Sequence, residues 1–340
     1  MLELLKTLCA LSGVSGDEGA VREFVTEYAQ KYAHETFVDA LGNVIVTVSG
    51  ARRSSQKIAF AAHMDEVGLI ATHVTDDGMI KFSCVGGIDK RVLPGKRVWF
   101  GEVAGVIGMK PVHLVPKPDR ERAIDVADLY VDIGATSKET ALQHISLGDT
   151  ATFDADFLEF GDGFVRSKAI DDRVGCAALL KLMENAPIDC TLVFTVQEEV
   201  GTRGARVAAH RVQPDIAVIL EGTTAADLAG VSDAKKVCKL GNGAVSPFMD
   251  GGAIYDRELW NLARDTAAKH DIKWQTKEYV SGGTDGAAFQ KAASGAKIVG
   301  IAAPVRNLHS AACIAKLSDI EDVLALARAF LAEIADRYGE

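Results

Sequence analysis

The chain has 340 residues, 48% of them hydrophobic and 25% charged, with a net charge of -10 at pH 7. That length accommodates a sizeable core and either two domains or one domain with an insertion. The acidic balance argues against a nucleic-acid backbone or an anionic membrane as a partner, and no uninterrupted apolar run reaches membrane-spanning length.

The opening stretch MLELLKTLCALSGVSG starts helical, carries Glu3 and Lys6, and lacks the basic leader and long apolar run of a signal peptide. Next, SGDEGAVREFVTEYAQKYA has helical periodicity through Val21, Phe24, Val25 and Tyr28, with Ser15 or Asp17 as its cap. NVIVTVSG and KIAFAAHM read as short strands. From about residue 72 to 163 the texture changes to short strands and Gly/Pro turns, with one helical signal near SKETALQHI and a polar loop at VPKPDRERAIDVAD. From 164 helices and strands alternate again. DRVGCAALLKLMENA, TRGARVAAHRV and YDRELWNLARDTAAKH read as helices, as does a terminal helix opened by Ser318; CTLVFTVQ, DIAVILEG and KIVGIAAP read as buried strands. The fold class expected is α/β, a mixed sheet sandwiched by helices. One discontinuous domain takes residues 1–71 and 164–340, and a small β-barrel-like domain is inserted at 72–163. The six cysteines are scattered with no CxxC pair. They suit free thiols in a reducing cytoplasm, and they leave histidine and carboxylate as the ligands for any metal.

In open α/β sheets ligands collect beyond the carboxyl ends of the strands. KIAFAAHMDEVG delivers His63, Asp65 and Glu66 there; LVFTVQEEVG delivers Glu198 and Glu199; IAVILEGTTAAD delivers Glu221. IVGIAAPVRNLHS runs out to His309, and SKAIDDRVGC places Asp171 and Asp172 before a helix. Each has an ordinary explanation when taken singly: a strand-end histidine held by its neighbour, an N-cap pair, a loop carboxylate. Five segments converging on one edge point instead to a dinuclear metal site, whose donor set suits zinc, cobalt or manganese. The adjacent Glu198 and Glu199 pose the sharpest question, because two desolvated like charges require a proton or a cation between them.

The segments AAHMDEVG, SKAIDDRVGC, VQEEVGTRGA, ILEGTTAADLAG, SGGTDGAAF and RNLHS resemble the glutamyl and deblocking aminopeptidases, the tetrahedral-aminopeptidase family of dinuclear metallopeptidases. The resemblance extends through GMKPVHL and DLYVDIGATSKE in the insertion, where His113 matches the family pattern without a derived role. It implies a zinc-peptidase-like catalytic domain that removes N-terminal residues from peptides with two divalent ions, zinc or cobalt foremost and manganese as an alternative. Carried over by position, Asp171 bridges the ions, His63 and Glu221 complete one site, and Glu199 and His309 complete the other. Asp65 holds the His63 ring, and Glu198 is the general base acting on a water between the ions. The family more often has aspartate at the position of Glu221. The resemblance further implies a cis peptide between Asp171 and Asp172 and a homo-oligomer built from dimers, often a hollow dodecamer.

SGGTDGAAF reads either as a substrate-lining segment through Thr284 or Asp285 or as a tight turn capping a helix. Arg306 is either a contact for an acidic substrate side chain or a surface charge. Two rival functions stand beside the aminopeptidase. A metal-independent glycosidase needs two carboxylates and leaves the histidines idle. A non-catalytic scaffold retaining the fold should have lost a ligand or the base, and neither is missing.

Overall fold

A computed structural model describes residues 1–32 and 35–340. Its centre is an eight-stranded sheet. In spatial order the strands are Glu35–Val38, Val44–Val48, Cys190–Thr195, Ile58–His63, Ile216–Thr224, Lys297–Val305, Ala244–Ser246 and Trp274–Thr276. The four middle strands, Cys190–Thr195 to Lys297–Val305, run parallel, and antiparallel pairings flank them on both sides, so the sheet is mixed.

Alternation along each strand divides its side chains between two cores. Ile58, Phe60 and Ala62 join Leu192, Phe194, Val218, Leu220, Val299 and Ile301 on the face covered by the helices Leu2–Ala10, Gly19–Gln30, Ile170–Leu182, Arg257–Lys269 and Leu317–Tyr338. Ala59 and Ala61 join Val193, Ala217 and Ile219 on the other face, under Arg203–Val212 and Gly286–Lys291. Alanines on both sides of that second layer (Ala205, Ala208 and Ala209 on the helix) let these two short helices lie close to the sheet. Burial on both faces explains why the middle strands read as continuous apolar runs.

The inserted segment forms a closed six-strand barrel with the order Gly68–Val74, Ile80–Val85, Tyr130–Asp132, Val103–Gly108, Arg97–Phe100 and Thr150–Phe153. Its core contains Leu69, Ala71, Ile80, Phe82, Val98, Phe100, Ile107, Val131 and Phe153. The barrel differs from the predicted 72–163 at both ends. Gly68–Val74 already belongs to it, because its buried Leu69 and Ala71 alternate into the barrel core. Leu158–Phe160 lies outside it, in a three-stranded sheet with Phe164–Ser167 and Cys313–Lys316. That small sheet ties the segment entering Asp171 to the segment leaving His309.

Local differences have local causes. The second helix begins at Gly19 with Glu18 at its N-cap and no capping side chain, rather than at Ser15 or Asp17, and the end predicted for it at Ala33 lies outside the described residues. SKETALQHI yields one helical turn, Lys138–Ala141, held by a Ser137/Thr140 capping box. A short turn, Val112–Leu114, where His113 sits exposed, precedes the polar loop, which itself contains two more, Lys117–Asp119 and Val126–Asp128. Ser318 lies inside the terminal helix, one residue after its start. Among the described residues no helix is long and apolar enough to cross a membrane.

Candidate metal centre and active site

The parallel register sets the site. His63 ends its strand opposite Thr195, so the turn after Thr195 brings Glu198 and Glu199 beside it. Glu221 lies within the next strand over, and His309 follows the strand Lys297–Val305. Asp171 enters from the helix that begins at Ile170, and its peptide bond to Asp172 is cis, as the resemblance implied.

Asp171 stands between two histidine–glutamate pairs. Its Oδ1 is 3.2 Å from His63 Nε2, which is 3.6 Å from Glu221 Oε2. Its Oδ2 is 3.8 Å from His309 Nε2, which is 3.2 Å from Glu199 Oε2. Two donors bonded tetrahedrally to one zinc ion at ~2.1 Å lie roughly 3.4 Å apart, so these spacings fit ligand edges around an ion. Both rings are turned the same way. His63 Nδ1 faces the Asp65 carbonyl at 3.1 Å and His309 Nδ1 faces the Gly87 carbonyl at 2.8 Å. An Nδ1–H donating to a carbonyl leaves Nε2 free to bind a metal. Gly87 belongs to the barrel side of the chain, so the insertion helps orient one of the two imidazoles.

Among the described residues, two overlapping groups have ligand atoms within 4.8 Å of one another: His63, Asp171 and Glu199; and His63, Asp172 and Glu221. The Asp172 oxygens already accept from backbone amides, Oδ2 from His63 and Oδ1 from Gly175. Asp171 is therefore the better free donor, and Asp172 fixes the backbone on which His63 rides.

Asp65 does more than face the His63 ring, whose Nδ1 lies 3.5 Å from its Oδ1. Its carboxylate accepts the backbone N–H of Glu198 at 2.9 Å and of Glu199 at 3.1 Å, and the Ser15 hydroxyl at 2.6 Å. One buried carboxylate thus positions both glutamates. The next residue, Glu66, is also buried. It accepts from Lys168 Nζ at 2.7 Å and from the Thr152 hydroxyl at 3.1 Å, joining the barrel to the segment before Asp171.

The electrostatics reflect crowded carboxylates. Burial raises the Glu198 carboxyl well above its ordinary range; His63 opposes the shift, while Glu221, Asp285 and Glu199 add to it. Burial pushes Glu221 up to about 8 against the pull of His63, with Asp171 and Asp285 adding to the rise. His309 is drawn up to about 9: burial favours the neutral ring, but Glu199 and Asp171 outweigh it. Protons satisfy this cluster in the absence of another cation, and a divalent ion supplies the same neutralisation.

The cluster forms one end of a cavity of about 710 Å³. Thr284 lines it and shares a 3.0 Å contact with the Tyr255 hydroxyl, which donates to Asp250. Asp285 does not line the cavity; it is buried and accepts from Thr195. Arg306 also faces elsewhere, its Nε and Nη2 bonded to the two Asp227 oxygens at 2.6 and 2.7 Å. That bidentate pair occupies the guanidinium expected to meet an acidic substrate. Asp250, Tyr255 and Lys277 line the cavity and were not anticipated, because they lie in loops whose sequence carries no motif.

A cluster of imidazoles and carboxylates at the carboxyl edge of a mixed α/β sheet, beside a closed barrel, is the arrangement of a hydrolase. The family model for M42 glutamyl aminopeptidase matches residues 42–326. A putative aminopeptidase of Acetivibrio thermocellus is 36% identical over 329 residues, covering 96% of this chain and 97% of that one. Among solved structures, the aminopeptidase APDkam598 of Desulfurococcus kamchatkensis has a TM-score of 0.92 at 34% identity, covering 97% of this chain and 94% of that one. The Pyrococcus horikoshii TET1 peptidase, described as assembling into a tetrahedron or a large octahedral shell, has a TM-score of 0.86 at 34% identity, covering 97% and 98%. The chain belongs to the M42 glutamyl aminopeptidase family. It is a hydrolase acting on peptides, which sets aside the glycosidase and scaffold readings.

Proposed function

We propose that this chain is a dinuclear-metal aminopeptidase, with Asp171 bridging two ions, His63 and Glu221 on one and Glu199 and His309 on the other. The observation that carries the reading is that the two oxygens of Asp171 face different histidine–glutamate pairs, at 3.2 Å and 3.8 Å from the respective imidazoles. The all-histidine-and-carboxylate donor set favours zinc or cobalt, with manganese acceptable.

The bound ions supply Lewis acidity and charge neutralisation. Glu198 takes the proton of the attacking water and returns it to the leaving amine. Asp65 keeps that carboxylate in place through the Glu198 and Glu199 amides. The Gly87 and Asp65 carbonyls hold the imidazole tautomers. Thr284 and its Tyr255 partner line the space for the first residue of the substrate. The barrel acts in self-assembly and access, residues 1–71 and 164–340 forming the catalytic unit. The working state is a homo-oligomer of dimers in the cytoplasm, extending to a dodecamer.

Removal of metal by chelation and re-addition of zinc or cobalt, followed with aminoacyl chromogenic substrates, tests the reading. Activity is expected to vanish and return. Full turnover by rigorously metal-free protein overturns it.

A further inference from the structure

The buried part of the cavity lining carries the carboxylates of Asp171, Glu198, Glu199 and Glu221, with the buried Lys277 close to Glu221 and Asp171, and the lining also includes Arg206 and Lys291. Both cations are exposed. Both also line an adjoining hollow of about 410 Å³ that shares Thr202 and Ala287 with the main cavity. Arg206 and Lys291 therefore stand where the cavity opens outward.

The two cations come from the helices Arg203–Val212 and Gly286–Lys291, whose Ala205, Ala208, Ala209, Ala288 and Phe289 pack in one apolar cluster. Lys291 Nζ donates to the Gly252 carbonyl at 2.9 Å, which holds the ammonium at the opening without neutralising it. Among the described residues, no ion pair engages either cation, and both side chains border the same cavity. In a chain with net charge -10, two cations on one side of the same cavity opening are placed to meet an anion there.

We propose that Arg206 and Lys291 form a carboxylate-binding subsite at the cavity mouth, filled by the C-terminal carboxylate of a short peptide substrate. The inference rests on the aminopeptidase reading, which places the peptide amino terminus at the inner carboxylate end. The chain then runs outward, and a tripeptide, extended by ~3.3–3.6 Å per residue, spans roughly 10 Å toward the opening. The amino terminus thereby meets the anionic end and the carboxylate the cationic end, which orients the substrate before reaction. An acidic side chain two or three residues from the amino terminus presents the same chemistry.

The test compares kcat/KM for Leu-Ala-Ala with that for Leu-Ala-Ala-amide, and for Leu-Ala-Glu-amide with that for Leu-Ala-Gln-amide, in the wild type, Arg206→Gln/Lys291→Gln and Arg206→Glu/Lys291→Glu. The wild type is expected to favour the carboxylate-bearing member of at least one pair by roughly three- to tenfold, as exposed charge pairs allow. The neutral variant brings that ratio to about one and the acidic variant inverts it. High salt flattens the wild-type ratio. The pair that shows the preference identifies the source of the carboxylate. Ratios near one in both wild-type pairs, or a preference that survives in the neutral variant, overturn the subsite. Leucyl, lysyl and glutamyl chromogenic amides, which lack a C-terminal carboxylate, separate the two levels, the peptides carrying whichever first residue is turned over: turnover of an amide with flat peptide ratios refutes the subsite alone, and no turnover of any of the three by metal-loaded enzyme refutes the aminopeptidase reading with it.

Discussion

Gly222 directly follows Glu221 in the strand Ile216–Thr224 and pairs with Ala303 of the neighbouring strand. A methyl group at this position lies 2.9 Å from Asp171 Cβ, 3.0 Å from its Cα and 3.1 Å from its Cγ. Carbon atoms in good contact sit ~3.5–4.0 Å apart, so something must retreat by roughly 0.5–1 Å. The strand is fixed by its ladder, and the movement falls on Asp171. Overpacking of this kind costs about 1–3 kcal/mol, well within an ordinary folding free energy of about 5–15 kcal/mol. Gly222→Ala is therefore expected to fold and to melt a few degrees lower. Its chemistry should suffer far more, because the carboxylate between His63 and His309 is displaced, and a misplacement of about 1 Å can cost ~10²-fold in rate. Thermal melts, chelator competition for the bound metal and kcat/KM make the assay. Gly19→Ala, with only an Arg22 atom at 3.7 Å, is the control for glycine replacement itself. Wild-type turnover and metal affinity in Gly222→Ala would refute the claim that the position of Asp171 governs the site.

Asp65→Asn removes one of the two carboxylate oxygens that receive the Glu198 and Glu199 amides, and is expected to lower metal affinity or kcat by about 10–100-fold; unchanged values in both measurements would rule out its positioning role. Light scattering on dilute metal-loaded protein should find a species well above the 36.1 kDa of one chain, a dimer at least; a fully active monomer would remove the barrel from assembly.

The residues brought together at the site were readable because each ends or follows a run whose burial imposes its register. His63 ends IAFAAH, Glu198 and Glu199 follow the turn after LVFT, and Glu221 closes the buried run IAVILE inside its strand, and parallel pairing leaves them few other places to go. The barrel was legible from the change to short alternating strands, but its limits were not. Leu69 and Ala71 fill the barrel core, although Gly68–Val74 follows so closely on the catalytic strand Ile58–His63 that apolar content alone does not separate them. Asp285 and Arg306 show the opposite limit. Sequence position suggested two side chains for the substrate, but long-range partners decide where each points: Thr195, 90 residues away, takes Asp285, and Asp227, 79 residues away, takes Arg306. The second role of Asp65 was invisible for the same reason, since its acceptance of two amides more than 130 residues distant appears only after the strands are aligned.

The division of labour between the adjacent glutamates is the centre of the account, and parallel metal analysis and turnover of Glu198→Gln and Glu199→Gln test it most directly. Glu199 Oε2 lies 3.2 Å from His309 Nε2, as a co-ligand should, while Glu198 lines the cavity. Glu198→Gln should keep its full metal complement and lose turnover by ~10²–10⁴-fold, the range for a missing general base. Glu199→Gln should instead bind one of its two ions more weakly, with turnover partly restored by excess zinc or cobalt. Equal metal loss in the two variants, or near-normal turnover of Glu198→Gln, would contradict it.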